Sequence, residues 1–170
     1  MDKWDERFCQ LAKFVSKWSK DHARVGAVLV SRRGGDVTIG YNGFPMGVQD
    51  LDERLKDKDK KLAMVVHAEV NAIVAAGLRA QESTLYVWGK PICSRCAGPI
   101  IQAGVRRVVA KEPASETSEE WRKSGFLALE MFQEAGIIVH FYEGTPEFIP
   151  EIPWVRHEPE FIPEIPWAQP

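Results

Sequence analysis

Residues 62–110 decide the fold of this chain. They read LAMVVHAEVNAIVAAG (62–77), TLYVWG (84–89), ICSRCAGPIIQAG (92–104) and VRRVVA (105–110). The first and third stretches have helix-forming composition and end at a glycine, whereas the second and fourth are short, strand-like apolar runs. Because helices and strands alternate here, we expect the strands to be parallel and connected with right-handed crossovers. Opposite faces of one sheet would then carry helices.

The segment before this core predicts a helix, a hairpin and an irregular excursion. Apolar side chains recur at helical spacing over about residues 3–20 and should form a core-packing face: Trp4, Phe8, Leu11, Val15 and Trp18. VGAVLV (25–30) and VTIGYN (37–42) flank a Gly34-Gly35 turn, which predicts a β-hairpin. Residues 43–60 then read as a long loop or a partly helical excursion. Loops of that length are often functional, although a solvated charged face is the alternative for DERLKDKDKK (52–61).

The segment after the core predicts a helix, a last strand and an extended tail. The helix covers roughly residues 119–135, with an inner face of Trp121, Leu127, Met131 and Ala135, and IIVHFY (137–142) follows as a strand. Most of the eleven prolines come next, and PEFIPEIPW occurs twice, at 146–154 and 159–167. Proline fixes φ and removes a backbone donor, so this stretch should be extended.

The domain organisation follows from that change in composition. We expect one domain over residues 1–143 and an appended tail over residues 144–170. The tail is either a flexible appendage or a segment that docks in a groove of the same or a neighbouring subunit.

Composition excludes several classes of partner and location. A chain of 170 residues usually forms one domain, and its formal charge of −2 argues against a polynucleotide partner, because phosphate backbones are met by excess Lys and Arg. The N-terminus MDKWDERFCQLAKF has no continuous apolar segment after its charges. We therefore expect neither a signal peptide nor a membrane span, and a cytoplasmic location. Three cysteines with one close pair are a poor disulfide framework, and such a pair more often binds metal or does redox chemistry.

His67, Cys93 and Cys96 have the residue types and spacing of a zinc site. Two cysteines three apart at a helix N-terminus place both sulfurs on one side of the first turn, where the helix dipole favours thiolate. Two thiolates and one imidazole suit tetrahedral Zn²⁺, and three protein ligands leave a fourth position for water. A structural site would normally add a fourth Cys or His, whereas the other cysteine and histidines are isolated in the sequence.

Glu69 is expected to move protons rather than to bind the metal. Zinc lowers the pKa of water from about 15.7 toward about 7. A carboxyl in a closed, apolar site can be tuned upward and act as both base and acid, which hydrolysis of an exocyclic amine requires. H-x-E followed by P-C-x-x-C is the signature of zinc deaminases that act on bases. Here Ile92 separates Pro91 from Cys93, which we expect to change the pocket wall rather than to remove the metal.

The chain resembles the deoxycytidylate (dCMP) deaminase branch of the cytidine deaminase-like superfamily. The matching stretches are SKDHARVGAVLV (19–30), GYNGFPMGV (40–48), VVHAEVNAI (65–73) and CSRCAGPIIQAGVRRVV (93–109). The resemblance implies an α/β fold, a three-layer α/β/α sandwich around a five-stranded mixed sheet. It also implies hydrolysis of dCMP to dUMP and ammonia, and we expect one zinc per chain because residues 43–60 contain no further Cys or His.

The same resemblance suggests substrate contacts and assembly. It implies that Asn42 contacts a sugar hydroxyl and that Ala68 lies in the substrate site. Lys20 and Arg24 would lie near the 5′-phosphate, with ordinary surface charge as the alternative reading. Relatives are often homo-oligomers, commonly hexamers, and many respond to dCTP and dTTP. Here AIVAAGLRA (72–80) lacks an aromatic that some regulated relatives carry, so control by dCTP or dTTP is in doubt.

Two kinds of alternative function stay open at this point. The metal site alone does not discriminate dCMP from dCTP, cytidine, guanine or a modified pyrimidine nucleotide. In a different class, the chain would be a non-catalytic zinc-binding protein that recruits a partner through its duplicated tail. Glu69 separates the two classes, because a structural zinc site has no use for it.

Overall fold

The computed structural model describes residues 1–33, 35–116 and 118–144. Two 3₁₀ turns, Gly77–Ala80 and Pro113–Ser115, accompany the regular elements. In chain order the regular helices and strands are α1 (Lys3–Ser16), β1 (Gly26–Val30), β2 (Val37–Tyr41), α2 (Asp52–Lys56), α3 (Lys58–Met64), α4 (Ala68–Ala76), β3 (Thr84–Trp88), α5 (Ser94–Gln102), β4 (Arg107–Ala110), α6 (Glu119–Glu134) and β5 (Ile138–Phe141).

The five strands form one mixed sheet with the order β2-β1-β3-β4-β5. β1 pairs antiparallel with both β2 and β3, whereas β4 pairs parallel with β3 and β5. The hairpin and the parallel later strands predicted from the sequence are both confirmed. α5 connects β3 to β4 and α6 connects β4 to β5, which are the helical crossovers that parallel strands need.

Helices cover both faces of the sheet and create two apolar cores. The larger core lies between the sheet and α4, α5 and α6, and includes Leu29, Leu85, Val108, Ile100 and Phe132. The smaller core lies under α1 and includes Cys9, Ala12, Val28, Tyr86 and Val109. Because successive strand residues point to opposite faces, Val108 and Val109 serve different cores. The predicted three-layer α/β/α sandwich is confirmed.

Glycines allow two helices to lie directly on the sheet. A Cβ at Gly40 would lie 2.3 Å from the Ala68 carbonyl oxygen, so β2 accepts α4 only because this side chain is a hydrogen. A Cβ at Gly26 would lie 2.1 Å from the Ala12 carbonyl oxygen on the other face, under α1. Gly40 therefore fixes the depth of α4 and of the residues at its N-terminus.

Two details of α1 differ from the sequence prediction. The helix ends at Ser16 rather than near residue 20, because the backbone N–H groups of Lys17, Trp18 and Ser19 donate to carbonyls three residues back. Its core face is also narrower than predicted, since Trp4 and Trp18 are 56% and 49% exposed.

The inner face of α6 was likewise predicted only in part. Trp121 and Met131 pack against the core, but Leu127 and Ala135 are exposed. Gly125, Ala128 and Phe132 are buried instead. The buried face of α6 therefore includes Trp121 and Met131 as predicted, but passes beside Leu127 and Ala135 rather than through them.

The charged excursion after β2 folds into two short helices, α2 and α3, and neither buries a side chain. It returns to the domain through an isolated bridge in which Gly43 and Val66 exchange both backbone hydrogen bonds. The predicted tail over residues 144–170 lies, apart from Gly144, outside the described residues. Among the described residues, no helix has both the length and the apolar character that crossing a bilayer requires.

A buried ion pair joins α1 to the sheet. The Arg107 guanidinium donates to both carboxylate oxygens of Asp5 at 2.7 Å, and the Tyr86 hydroxyl donates to the same carboxylate at 2.9 Å. Arg107 first and Tyr86 next hold the pKa of Asp5 at about 2, against the opposing effect of burial. The pair thus links the first helix to β3 and β4.

Candidate metal centre and adjoining cavity

Three potential metal ligands meet where α4 and α5 begin. His67 is the N-cap of α4, Cys93 is the N-cap of α5, and Cys96 lies in the first turn of α5. Neither N-cap side chain is used for a capping hydrogen bond, so both remain available as ligands. The predicted convergence of these three residues at two helix starts is therefore observed.

The spacing of the three side chains fits a tetrahedral zinc ion. The ligand atoms lie within 4.8 Å of one another, and His67 Nδ1 is 3.2 Å from Cys96 Sγ and 3.5 Å from Cys93 Sγ. Tetrahedral geometry with Zn–S of about 2.3 Å and Zn–N of about 2.0 Å places nitrogen and sulfur about 3.5 Å apart. Over residues 1–33, 35–116 and 118–144 this is the one such group of histidine, cysteine and carboxylate side chains, in agreement with one zinc per chain.

Hydrogen bonds and burial shift the pKa of each of the three ligands. A hydrogen bond from Cys96, and then the His67 imidazole, lower the pKa of Cys93. The pKa of Cys96 is raised, because its thiol donates a hydrogen bond to Cys93 and because it is buried. The hydrogen bond to Cys93 raises the pKa of His67. Zinc binds thiolate and neutral imidazole, so binding of zinc would release protons from this group.

Glu69 lies beside this group in the first turn of α4 and is only 3% exposed. Burial raises the pKa of Glu69, against the weaker opposing charge of His67. A carboxyl with a raised pKa can accept a proton and release it again near neutral pH. This is the environment that the sequence predicted for a proton carrier.

A cavity of about 240 Å³ opens onto His67 and Glu69. Its walls come from the loop before β1, the end of β2, α3, the start of α4, the loop after β3, and α6. The lining residues are Asp21, Ala23, Val25, Asn42, Lys58, Lys61, Leu62, Val65, His67, Ala68, Glu69, Lys90, Pro91 and Trp121. A substrate in this cavity would reach the metal group and the buried carboxyl together.

The predicted substrate contacts divide into two groups. Asn42 and Ala68 line the cavity. Asn42 Oδ1 accepts the Val25 N–H at 2.8 Å and Nδ2 donates to the Ala23 carbonyl at 3.0 Å, which leaves one amide N–H for another acceptor.

Lys20 and Arg24 do not belong to the cavity lining. Both are exposed, and Lys20 forms an ion pair with Asp50 at 2.9 Å. The structure therefore does not bring these two cations together with the other predicted site residues, and their contact with phosphate stays a prediction.

Sequence reasoning missed several residues of the cavity. The Trp121 ring stacks beside His67, with ring centroids 6.0 Å apart and planes inclined by 26°. Lys90 Nζ lies 5.9 Å from the Trp121 ring centre and 2.8 Å from a Glu116 carboxylate oxygen. Pro91, whose separation from Cys93 was expected to change the pocket wall, does form part of that wall. Helical periodicity did place Trp121 on the inner face of α6, but not at the cavity.

Comparison with known proteins agrees with this geometry. The sequence family described as the cytidine and deoxycytidylate deaminase zinc-binding region matches residues 2–112. An uncharacterized deaminase in the luxG 3′ region of Aliivibrio fischeri is 34% identical over 140 residues, 82% of this chain and 93% of that protein. The deoxycytidylate deaminase of Mus musculus is 35% identical over 153 residues, 86% of this chain and 82% of that protein.

A solved structure gives the same result at the level of the fold. The dCMP deaminase of cyanophage S-TIM5, in complex with dCMP and dUMP, has a TM-score of 0.63 and 25% sequence identity, covering 84% of this chain and 99% of that one. Because its sequence matches this family over residues 2–112 and its structure brings the three zinc ligands together, this chain belongs to the zinc-binding cytidine and deoxycytidylate deaminase family.

Proposed function

We propose that this protein is a zinc-dependent hydrolytic deaminase that converts dCMP to dUMP and ammonia. The observation that carries the proposal is the buried Glu69 carboxyl beside His67, Cys93 and Cys96, where a cavity opens. The mouse and cyanophage relatives, both described as dCMP deaminases, support the choice of dCMP as substrate.

The chain's own residues account for the proton movements. His67, Cys93 and Cys96 would hold a zinc ion, which when bound makes water a competent nucleophile at neutral pH. Glu69 accepts a proton from the attacking water as the bond from oxygen to C4 of the base forms, and gives it to ring N3 as the C4–N3 double bond becomes a single bond. Glu69 then takes the proton of the new C4 hydroxyl and gives it to the exocyclic nitrogen as the bond from C4 to that nitrogen breaks, the C4 carbonyl forms and ammonia leaves. Burial raises the pKa of Glu69, so none of these transfers is strongly uphill.

Other cavity residues would orient the nucleotide. The remaining N–H of the Asn42 amide is available to a sugar hydroxyl, and Ala68 closes the cavity between His67 and Glu69. Trp121 presents an aromatic wall beside His67, against which a flat base can stack.

Glu69 also argues against a purely structural zinc site. Burying a carboxyl costs free energy unless strong partners compensate, and burial outweighs the charge of His67 in raising the pKa of Glu69. A binding protein would gain nothing from this residue, whereas a hydrolytic deaminase needs it.

The Glu69→Gln variant tests the mechanism. We expect it to retain one zinc per chain and to lower kcat for dCMP by about 10²- to 10⁴-fold, the usual contribution of a general acid–base group. Metal content by atomic emission and rates by liquid chromatography decide the result, and activity that persists in the variant contradicts the mechanism.

A substrate panel tests the choice of dCMP. The panel contains dCMP, dCTP, deoxycytidine, cytidine and guanine, and we expect dCMP to have the highest kcat/KM. Faster turnover of a free base or a nucleoside would replace the proposed substrate while leaving the deaminase chemistry in place.

We further propose that the chain self-associates and resides in the cytoplasm. Phe14, Trp18 and Tyr41 are 46%, 49% and 40% exposed and pack edge to face where the end of α1 meets the outer strand β2. Such exposed apolar clusters are typical of association surfaces. All three cysteines are free, as in reducing compartments. Light scattering of wild type and Trp18→Lys tests self-association. Assembly as a hexamer and control by dCTP or dTTP stay predictions.

A further inference from the structure

We propose that Ser124 of α6 is a positioning residue for the metal centre. Its hydroxyl holds the peptide group between Cys93 and Ser94 and thereby fixes the Cys93 sulfur toward the zinc ion. The inference rests on the zinc-binding part of the proposed function, and it names a residue outside the ligand set on which zinc affinity depends. The deaminase chemistry itself assigns no role to Ser124.

The helix that carries both cysteines begins without a side-chain cap of its own. Cys93 is the N-cap of α5, a position from which serine, threonine, asparagine or aspartate normally accepts a backbone N–H of the first turn. The Cys93 side chain makes no such bond and belongs to the metal group instead. Helix ends without partners fray, and fraying here would move Cys93 and Cys96 together.

Ser124 supplies the missing partner from a neighbouring helix. The Ser94 backbone N–H donates to Ser124 Oγ at 3.1 Å, and Ser94 Oγ and Ser124 Oγ are also 3.1 Å apart. A hydroxyl has one donor and two acceptor sites, so Ser124 can make both contacts at once. Both serines are half-buried, which limits the access of water that could replace these bonds.

The bond to Ser124 acts on the backbone of a zinc ligand. The N–H of Ser94 and the carbonyl of Cys93 belong to one planar peptide group. That carbonyl accepts the N–H groups of Cys96 and Ala97 at 3.0 and 3.1 Å. The first turn of α5 therefore holds one end of the peptide plane and Ser124 holds the other. A plane fixed at both ends restricts rotation of the Cys93 backbone, so its sulfur keeps its direction.

One face of α6 reaches two of the three metal ligands. Trp121 stacks beside His67, and Ser124 bonds to the residue that follows Cys93. A spacing of three residues puts Trp121 and Ser124 on the same side of the helix. The metal group contains no residue of α6, so this helix acts on the ligands only by holding them in place.

Gly125 allows α6 to approach closely enough for this contact. A Cβ at Gly125 would lie 2.9 Å from the Pro113 side chain and 3.5 Å from Pro91 Cβ. Pro91 stands two residues before Cys93, so the α6 backbone lies directly against the segment that leads into the ligand. This approach brings the short Ser124 side chain within reach of the start of α5.

The test measures zinc affinity without substrate. Ser124→Ala removes the hydroxyl, and Ser124→Thr retains it. Ser83→Ala is the matched control, because Ser83 is fully buried and its Oγ donates to the Ala80 carbonyl at 2.6 Å. Ser83 precedes β3, whereas the cysteine ligands follow that strand. Each zinc-loaded protein is titrated with a chelator, and its thermal unfolding is followed with saturating zinc. The absorption spectrum of each cobalt(II)-substituted protein reports the ligand geometry.

We expect Ser124→Ala to bind zinc about tenfold more weakly, the lower end of what losing a hydrogen bond that orients a metal ligand costs. Its cobalt spectrum should differ from that of wild type, and Ser124→Thr should recover the affinity. Ser83→Ala should lower Tm and leave the zinc affinity unchanged.

Wild-type zinc affinity in Ser124→Ala overturns the assignment. An equal loss of affinity in Ser83→Ala also overturns it, because zinc affinity would then follow stability alone. Failure of Ser124→Thr to recover any affinity does the same, because the hydroxyl would then not be the group that matters. A wild-type protein that gives the expected affinities without deaminating dCMP refutes the proposed reaction but not the role of Ser124.

Discussion

Replacing Gly40 with alanine is expected to displace α4 and, with it, the metal ligand His67 and the proton carrier Glu69. The new Cβ would lie 2.3 Å from the Ala68 carbonyl oxygen and 2.5 Å from the Ala72 nitrogen, both backbone atoms of α4. Ordinary contacts of this kind are 3.4–4 Å. Because packed interiors do not absorb such an overlap, α4 must retreat from β2 by about 1 Å. Ala68 is bonded to both His67 and Glu69, so they must follow.

The expected magnitudes follow from that displacement. Overpacking of a core costs about 1–3 kcal/mol of unfolding free energy. For a chain of 170 residues this lowers Tm by about 2–4 °C per kcal/mol. A misplacement of about 1 Å at a catalytic group lowers the rate by about 100-fold. The folded Gly40→Ala protein should therefore bind zinc more weakly and turn over dCMP about 100-fold more slowly.

Gly26→Ala is the matched control, since it places a methyl 2.1 Å from the Ala12 carbonyl oxygen, under a helix that carries no zinc ligand. It should lose similar stability but keep zinc and most of its activity. Gly98→Ala in α5 meets nothing within 4 Å and should be neutral or stabilising. Thermal unfolding, zinc titration and kcat on the folded fraction give the comparison. Full kcat in Gly40→Ala, or equal loss of kcat in Gly26→Ala, would refute the argument.

Two further predictions concern the metal and the buried ion pair. Cys96→Ser should abolish tight zinc binding, as measured by competition titration with a chelator. Cys9→Ser changes a buried thiol under α1 and should bind zinc like wild type. Equal zinc affinities for the two variants would contradict the ligand assignment. In the folded protein Arg107 holds the pKa of Asp5 at about 2, below its usual value. The ion pair therefore adds about 2 kcal/mol to the free energy of unfolding above pH 5, and this stabilisation is lost as the pH falls toward 2. Urea unfolding between pH 7 and 3 should therefore show Asp5→Asn as less stable at pH 7 and less sensitive to acid, and parallel curves for the two proteins would show the pair to be unimportant.

The metal group could be predicted from sequence because its information is local. Cys93 and Cys96 are held together by one helical turn, and the fold needs to add only His67 at the start of a neighbouring helix. Alternation of helices and strands likewise predicts the parallel half of the sheet. The antiparallel hairpin of β1 and β2 has its own local signal in the turn between them.

The rest of the cavity depends on how distant segments return to it. Lys58 and Trp121 belong to α3 and α6, and nothing in either segment indicates that both face His67. Periodicity also tolerates a shift of one residue, which is why Met131 was predicted to be the core residue and Phe132 is the more deeply buried. The end of α1 at Ser16 is set by hydrogen bonds three residues back, which composition does not specify.

Asp5 and Glu69 show why the direction of a pKa shift separates a structural acid from a functional one. The two carboxyls are 2% and 3% exposed, so burial alone would treat them alike. Arg107 and Tyr86 hydrogen-bond the first and lower its pKa to about 2, so the charged form is stabilised and links two elements. Burial dominates for the second and raises its pKa, with an imidazole and a thiol as neighbours. Burial at a cavity destabilises the charged form of such a carboxyl, and a group whose pKa is raised in this way is suited to proton transfer.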